Sequence, residues 1–369
     1  MKQNYKVILT TLSPVFIGNG NSIDKSEYIY DDINRQVVIF KRKDLLTGLM
    51  QMNLLNKYCD AVLKPKFNLR DFFYDNNIKH SRYNKWISHR IDSSVVVDGK
   101  HSLKNILCFV KDAYGLPYIP GSSLKGAIRT AMLNSRIAKM NLNGELEDEK
   151  LQVLHIPENK KDYTRKTFLR KEVNNIEAKA FNTLNKPNTN KKDAVNDIFS
   201  EMWISDSEPI ENCEMILSDK VDVTLKGEEK PVSSVVRECL PPNTKITFTL
   251  SIDSDYFSVE NIKACIAERF ENYRKNYLNY FNRADVDEYA AANNIVLGGG
   301  AGFQSKTVTY ELLGKDKGIN FTREFMCANF RNGKHENDKI ISPHTRKTTE
   351  YDGRLFDMGI CDIAFEKID

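Results

Sequence analysis

A chain of 369 residues with 41% hydrophobic side chains is long enough for two domains of ordinary size, each burying its own core. Its 54 Lys and Arg against 50 Asp and Glu leave a formal charge of +4, too small to name a partner by itself. No apolar run approaches the ~20 residues needed to cross a bilayer. Residues 1–5 lead straight into a strand-like alternation instead of a leader, so a cytoplasmic protein without membrane contact is expected. The cysteines (Cys59, Cys108, Cys213, Cys239, Cys265, Cys327, Cys361) lie far apart with no Cys-x-x-Cys pair. That argues for reduced, buried thiols and against a zinc site or disulfide framework, and no metal or cofactor is expected.

In chain order, residues 5–12 alternate Val7 and Leu9 with Lys6 and Thr10 and read as a strand that Ser13-Pro14 ends. Gly18-Asn19-Gly20-Asn21 reads as a loop, and residues 27–30 and 36–40 read as a hairpin. A helix is expected over 43–58, with Leu45, Leu46, Leu49, Met52 and Leu55 on one side. Residues 60–105 show no regular period, and a strand over 105–111 follows. From about 141 to 200 the chain is charged and Asn-rich and reads as a mobile insertion with helical pieces. Within it Lys160, Lys161, Arg165, Lys166, Arg170, Lys171, Lys179, Lys186, Lys191 and Lys192 outweigh Asp162, Glu172 and Glu177. That excess suits a polyanion, or simply a solvated surface. Strands are expected at 202–206, 214–225, 244–252, 295–297 and 359–366, and a helix over 259–281. The order strand, helix, strand, strand occurs twice, which suits an α+β protein of two ferredoxin-like (RRM-like) domains. The division expected is 1–212, carrying the insertion, and 213–369, carrying a Gly-rich loop at 298–307.

Two motifs carry chemistry. Pro120-Gly121-Ser122-Ser123-Leu124-Lys125-Gly126-Ala127-Ile128-Arg129 opens a helix with no acidic residue. Ser122 or Ser123 is placed to cap it, the free N–H groups of its first turn attract anions, and Lys125 and Arg129 share a face four residues apart. The same spacing also describes an ordinary amphipathic helix with a solvated basic side. Leu297-Gly298-Gly299-Gly300-Ala301-Gly302-Phe303-Gln304-Ser305-Lys306-Thr307 has the length of a nucleotide-binding P-loop, but Ser305 stands where that loop requires glycine. It reads better as a glycine loop that lets an RNA backbone come close, with Phe303 stacking on a base or packing beneath the loop. A plain tight turn is the competing reading.

Together with Leu12-Ser13-Pro14-Val15-Phe16-Ile17-Gly18-Asn19-Gly20, Arg237-Glu238-Cys239-Leu240-Pro241-Pro242-Asn243-Thr244 and Pro343-His344-Thr345-Arg346-Lys347, these motifs resemble the RAMP superfamily of CRISPR-associated proteins. Within it, the glycine loop looks most like that of the fifth Csm subunit of type III-A interference complexes. The resemblance implies two RRM-like domains and binding of a guide RNA (crRNA) near its 3′ end. It also implies capping of a filament of backbone RAMP subunits and support of guide maturation with recruited host ribonucleases. By the same resemblance Gly18, Asn19, Ser122, Ser123, Lys125, Arg129, Gly298, Gly299, Gly300, Gly302, Phe303, Gln304, Ser305, Lys306, Thr307, Arg346 and Lys347 contact RNA. Gly299 stands where the family commonly carries an aromatic residue.

A metal-independent ribonuclease of this superfamily needs a histidine beside a lysine or tyrosine at the scissile phosphate. His101, His155 and His344 are candidates by chemistry alone, and Asp24, Asp31 and Asp32 are loop carboxylates with no readable partners. No catalytic residue is therefore assigned. A non-catalytic RNA-binding subunit is the first reading and a guide-processing endoribonuclease the alternative.

Overall fold

Two sheets carry the chain in the computed structural model, which describes residues 2–31, 33–65, 67–93, 105–155, 167–282, 293–330 and 334–368. The first sheet is antiparallel throughout, in the order Asn294–Val296, Ile360–Ile368, Gln3–Thr11, Lys245–Ile252, Met202–Ile204. Its central strand alternates as expected: Val7 and Leu9 are fully buried on one face, and the flanking strands add Phe248, Leu250 and Ile363 to that face. The helices Gly121–Leu142 and Val259–Asn276 cover it with Leu124, Ile128 and Ile137 and with Ile262 and Ile266. Each of these side chains stabilises the fold by roughly 1.5–3 kcal/mol through burial.

The second sheet is mixed and runs Gly18–Ile23, Asn105–Phe109, Glu229–Cys239, Ile216–Thr224, Ile87–Asp92, Gln36–Phe40, Tyr28–Asp31. Thr345–Tyr351 joins Ile216–Thr224 and pairs on with Arg354–Asp357. A smaller core under the Tyr28–Asp31 end gathers Leu45, Leu49, Phe72, Phe73 and Trp86.

Several expectations change. Gly18-Asn19-Gly20-Asn21 is not a loop: it begins an exposed strand that pairs with Asn105–Phe109 across a bulge between Gly18 and Ser22. The helix expected over 43–58 is two helices, Arg42–Gln51 and Leu55–Val62, separated where Asn53 turns to φ +55°. Far from hanging loose, the described part of 141–200 sends Ile176, Phe181 and Phe199 into the main core. Both sheets draw strands from either side of residue 212, and one continuous core runs from Val7 to Ile363. The strand Glu229–Cys239 and the helices Thr309–Leu313 and Lys315–Asn329 lie outside the segments expected from sequence.

Candidate nucleic-acid interface

The Pro-Gly-Ser-Ser helix and the segment that follows the glycine loop are joined by a hydrogen bond from Asn141 to Glu311, 170 residues along the chain, so helix and loop border the same region of the molecule. Between them lies a cavity of about 360 Å³. Ser122, Ser123, Gly126 and Thr130 form one wall; Ile266, Arg269, Phe270 and Tyr273 form the second; residues 294–298 with Ser305 and Lys306 close the third.

The helix start differs from the expected one. Pro120 is extended and its carbonyl accepts from Ser123 N at 2.9 Å, while neither serine caps the helix through its side chain. Instead the Asp206 carboxylate accepts from Gly121 N at 2.8 Å, so the positive end of the helix dipole already faces an internal anion. What the helix offers the cavity is the pair of hydroxyls, with Ser122 exposed and Ser123 half-buried.

Glycine is required in the loop by position. Gly298 has φ +72° with a Cβ position only 2.1 Å from the Phe16 carbonyl oxygen, and Gly300 has φ +89° with its Cβ position 2.5 Å from Met358 Sδ. A side chain at either position meets both an unfavourable backbone and an occupied space. Gly299 N donates to Phe16 O at 2.7 Å, and Lys306 Nζ donates to the Gly298 carbonyl, folding the loop over itself. Burial pulls the Lys306 ammonium below the usual lysine pKa.

From beneath, Arg269 holds the loop. Its guanidinium donates to Gln304 O at 2.7 Å, Thr307 O at 2.6 Å and Glu311 Oε1 at 3.1 Å. Gln304 Nε2 in turn donates to Ser342 O at 2.7 Å, and Ser305 Oγ to Gly302 O at 3.1 Å. Phe303 packs beneath the loop against Phe325, with ring centroids 5.7 Å apart. Arg269 is not among the residues that the sequence motifs point to, although it stands on the buried stripe Ile262, Cys265, Ile266, Arg269, Phe270, Tyr273. A cation in an apolar period is the signal that could have found it.

Phe16 ties three motifs together. The Cβ positions of Gly18 and Gly299 lie 2.9 and 3.0 Å from its ring, and the Arg237 guanidinium lies over that ring with its carbon 5.9 Å from the centroid. Arg237 Nε is 3.7 Å from the Gly300 Cβ position, and its buried Nη1 has no hydrogen-bond partner among the described residues. Asn19 stays on the exposed strand, where its side chain accepts from Asn21 N at 2.8 Å.

Four cations expected to meet phosphate have internal partners instead. Lys125 Nζ donates to Phe199 O at 2.8 Å and Met202 O at 2.7 Å. Arg129 pairs with Glu177 at 2.8 Å and Asp197 at 2.7 Å, and its guanidinium carbon stands 4.3 Å from the Phe181 ring centroid. Arg346 is buried in a two-bonded pair with Asp357, and Lys347 pairs with Asp222 at 2.7 Å. The physical reason is shared: each cation ends at a carboxylate or carbonyl that another part of the fold brings within reach.

Residues 8–348 match the family model of the RAMP superfamily. The chain belongs to the RAMP superfamily. Among curated RAMP relatives it is 28% identical to the Csm5 protein of Streptococcus thermophilus, over 84% of this chain and 82% of that one. It is 26% identical to Csm5 of Mycobacterium tuberculosis (strain H37Rv), over 98% of both chains. Of solved structures, a chain of the Csm–crRNA–target RNA ternary complex of a type III-A CRISPR–Cas system matches with a TM-score of 0.67 at 19% identity, covering 99% of this chain and 100% of that one. T. onnurineus Csm5 matches with a TM-score of 0.58 at 18% identity, covering 96% of this chain and 99% of that one. Both carry the same α+β RAMP fold.

The histidines of this RAMP chain sort by surroundings. His101 lies outside the described residues, and His155 is exposed just past the helix Glu147–Leu154. His344 Nδ1 meets Asp338 Oδ1 at 2.5 Å, and His335 Nδ1 meets Asp338 Oδ2 at 3.0 Å. His89 has no motif around it in the sequence, yet its Nε2 stands 3.1 Å from Glu238 Oε1 and 3.2 Å from Lys111 Nζ, at the edge of a cavity of about 560 Å³ that Arg35 and Arg90 also line. Burial pushes the Glu238 carboxyl up, but the His89 hydrogen bond and the Lys111 charge outweigh it and hold it below its ordinary value. Because successive side chains leave opposite faces of a strand, Arg237 faces Phe16 while Glu238 faces His89. Among the described residues no helix is long and apolar enough to cross a membrane.

Proposed function

We propose that this chain is an RNA-binding subunit of a type III-A Csm complex, holding the 3′ region of a guide RNA and capping a filament of backbone RAMP subunits. In that position it supports guide maturation by recruited host ribonucleases. The observation that carries the reading is the meeting of the serine-bearing helix and the glycine loop at one cavity, with Phe16 and Arg237 packed against the loop. The groups that would meet the RNA are the Ser122 and Ser123 hydroxyls, the backbone of Gly298–Gly302, Lys306 released from the Gly298 carbonyl, and Arg237. Groups of these kinds commonly hold phosphate and sugar, so a weak sequence preference is expected.

Guide binding measured against salt tests the proposal. On a single strand, removing one cation from a phosphate lowers the salt slope by about 0.7. Lys306→Ala and Arg237→Ala are each expected to weaken affinity and flatten the slope by that amount. Unchanged affinity and slope in both variants would reject the assignment.

The His89–Lys111–Glu238 cluster favours the second reading, an endoribonuclease that trims the guide precursor, because it supplies a histidine beside a cation at an open cavity. Discrete products from a labelled precursor in EDTA, abolished in His89→Ala, would establish it. Intact precursor would leave the binding subunit as the sole reading.

A further inference from the structure

We infer that His335, Asp338 and His344 form a site for a divalent transition metal of the zinc class. One ligand atom from each lies within 4.8 Å of the others. The donor set is two imidazoles and a carboxylate, which suits zinc and its neighbours; magnesium and calcium prefer oxygen donors throughout. The two nitrogen–oxygen separations, 3.0 Å from His335 to Oδ2 and 2.5 Å from His344 to Oδ1, are hydrogen-bond distances, shorter than the roughly 3.3–3.6 Å edge of a tetrahedron with bonds of about 2.0–2.2 Å. A cation therefore enters as the rings draw back from the carboxylate, by about 0.3 Å or more at His335 and about 0.8 Å or more at His344.

The surroundings are those of a built site. His335 and Asp338 are buried, and Ser342 Oγ, itself buried, donates to Asp338 Oδ2 at 2.7 Å and so fixes the carboxylate plane from behind. Without metal, each imidazole that donates from Nδ1 to Asp338 carries its proton there. On metal binding Nδ1 becomes the ligand and a neutral ring holds its proton on Nε2, while a charged ring releases one to solvent. The three protein ligands leave a fourth position for water on the side of His344, which is the partly exposed member. A serine hydrolase reading fails, because the Ser342 hydroxyl points to the aspartate and has no access to solvent.

The site also has a mechanical address. Ser342 O accepts from Tyr310 OH at 2.7 Å and from Gln304 Nε2 at 2.7 Å, so a metal on Asp338 braces the segment behind the glycine loop.

The test uses the full chain, stripped with EDTA and desalted, then titrated with zinc chloride and in parallel with cobalt chloride. One equivalent is expected to bind, cobalt giving the intense visible bands of a four-coordinate nitrogen and oxygen site, and the thermal midpoint rises with free zinc. His335→Ala and His344→Ala each lower affinity at least tenfold, and the double variant loses that equivalent. Uptake equal in the double variant, or a wild-type chain that takes up no equivalent and gives no such cobalt bands, overturns the proposal. The wild-type result stands without any variant, so a misfolded double variant does not shield it.

Discussion

The two polar walls of the central cavity are built in opposite ways. On the helix side the cations Lys125 and Arg129 turn away from the cavity and fasten the helix Gly121–Leu142 to the segment around Phe199 and Met202, leaving neutral hydroxyls at the opening. On the loop side the cation comes from behind: Arg269, almost wholly buried, gathers the carbonyls of Gln304 and Thr307, and the glycines shape the front. Charge printed beside a motif thus says little about where that charge points. Here the nearby basic residues are fasteners, and in the proposed function the surface for a polyanion is left to backbone, hydroxyls, Lys306 and Arg237.

Removing the loop's anchor gives the largest expected effect. Arg269→Ala leaves two buried carbonyls and the Glu311 carboxylate without their donor, and should cost about 3–5 kcal/mol in denaturant unfolding. A decrease below about 1 kcal/mol would mean that the loop holds itself. Next comes Gly298→Ala, which places a methyl at φ +72° against the Phe16 carbonyl. It should cost roughly 1–3 kcal/mol and weaken RNA binding together with stability.

Arg129→Ala sharpens the contrast from the helix side. It removes two partly exposed ion pairs and the packing on Phe181, an expected cost of about 1–2 kcal/mol with the salt slope of RNA binding unchanged. A flattened slope would return Arg129 to the phosphate surface. The smallest effect concerns pH. Lys306 has its folded pKa lowered by burial, so its charged form is disfavoured before RNA arrives, and it loses its proton at a lower pH than a solvated lysine. Phosphate binding favours the charged form, so guide affinity should fall as pH rises through that lowered value. Lys306→Arg, which keeps its charge, should flatten the alkaline limb.

Much of the architecture is legible in the sequence because its periods are strong. Val7 and Leu9 announce the central strand, and Ile262, Ile266 and Phe270 the long helix. Gly18 to Asn21 mislead because glycine and asparagine favour turns, while strand pairing with 105–109 is a tertiary effect that local composition does not carry. The insertion misleads in the same way: its charge describes a surface, whereas Phe181 and Ile176 supply the buried face. At the candidate site, glycine and serine positions are visible in sequence. The directions of Lys125, Arg129, Arg346 and Lys347 are not, because each depends on an acceptor elsewhere in the chain, such as Asp357, Asp222 or the Phe199 carbonyl.

The pairing of Gln3–Thr11 with Ile360–Ile368 bears on how the chain is made. Leu12 and Ser13 find their hydrogen-bond partner at Ile360, 347 residues beyond Ser13, so one edge of the central strand stays open until that later segment has been made. Lys245–Ile252 can close the other edge earlier. Until Ile360–Ile368 emerges, Val7 and Leu9 sit in an unfinished sheet, and closure over so long a span is slow. During translation this nascent edge is open to pairing with neighbouring chains on the polysome and needs shielding from them.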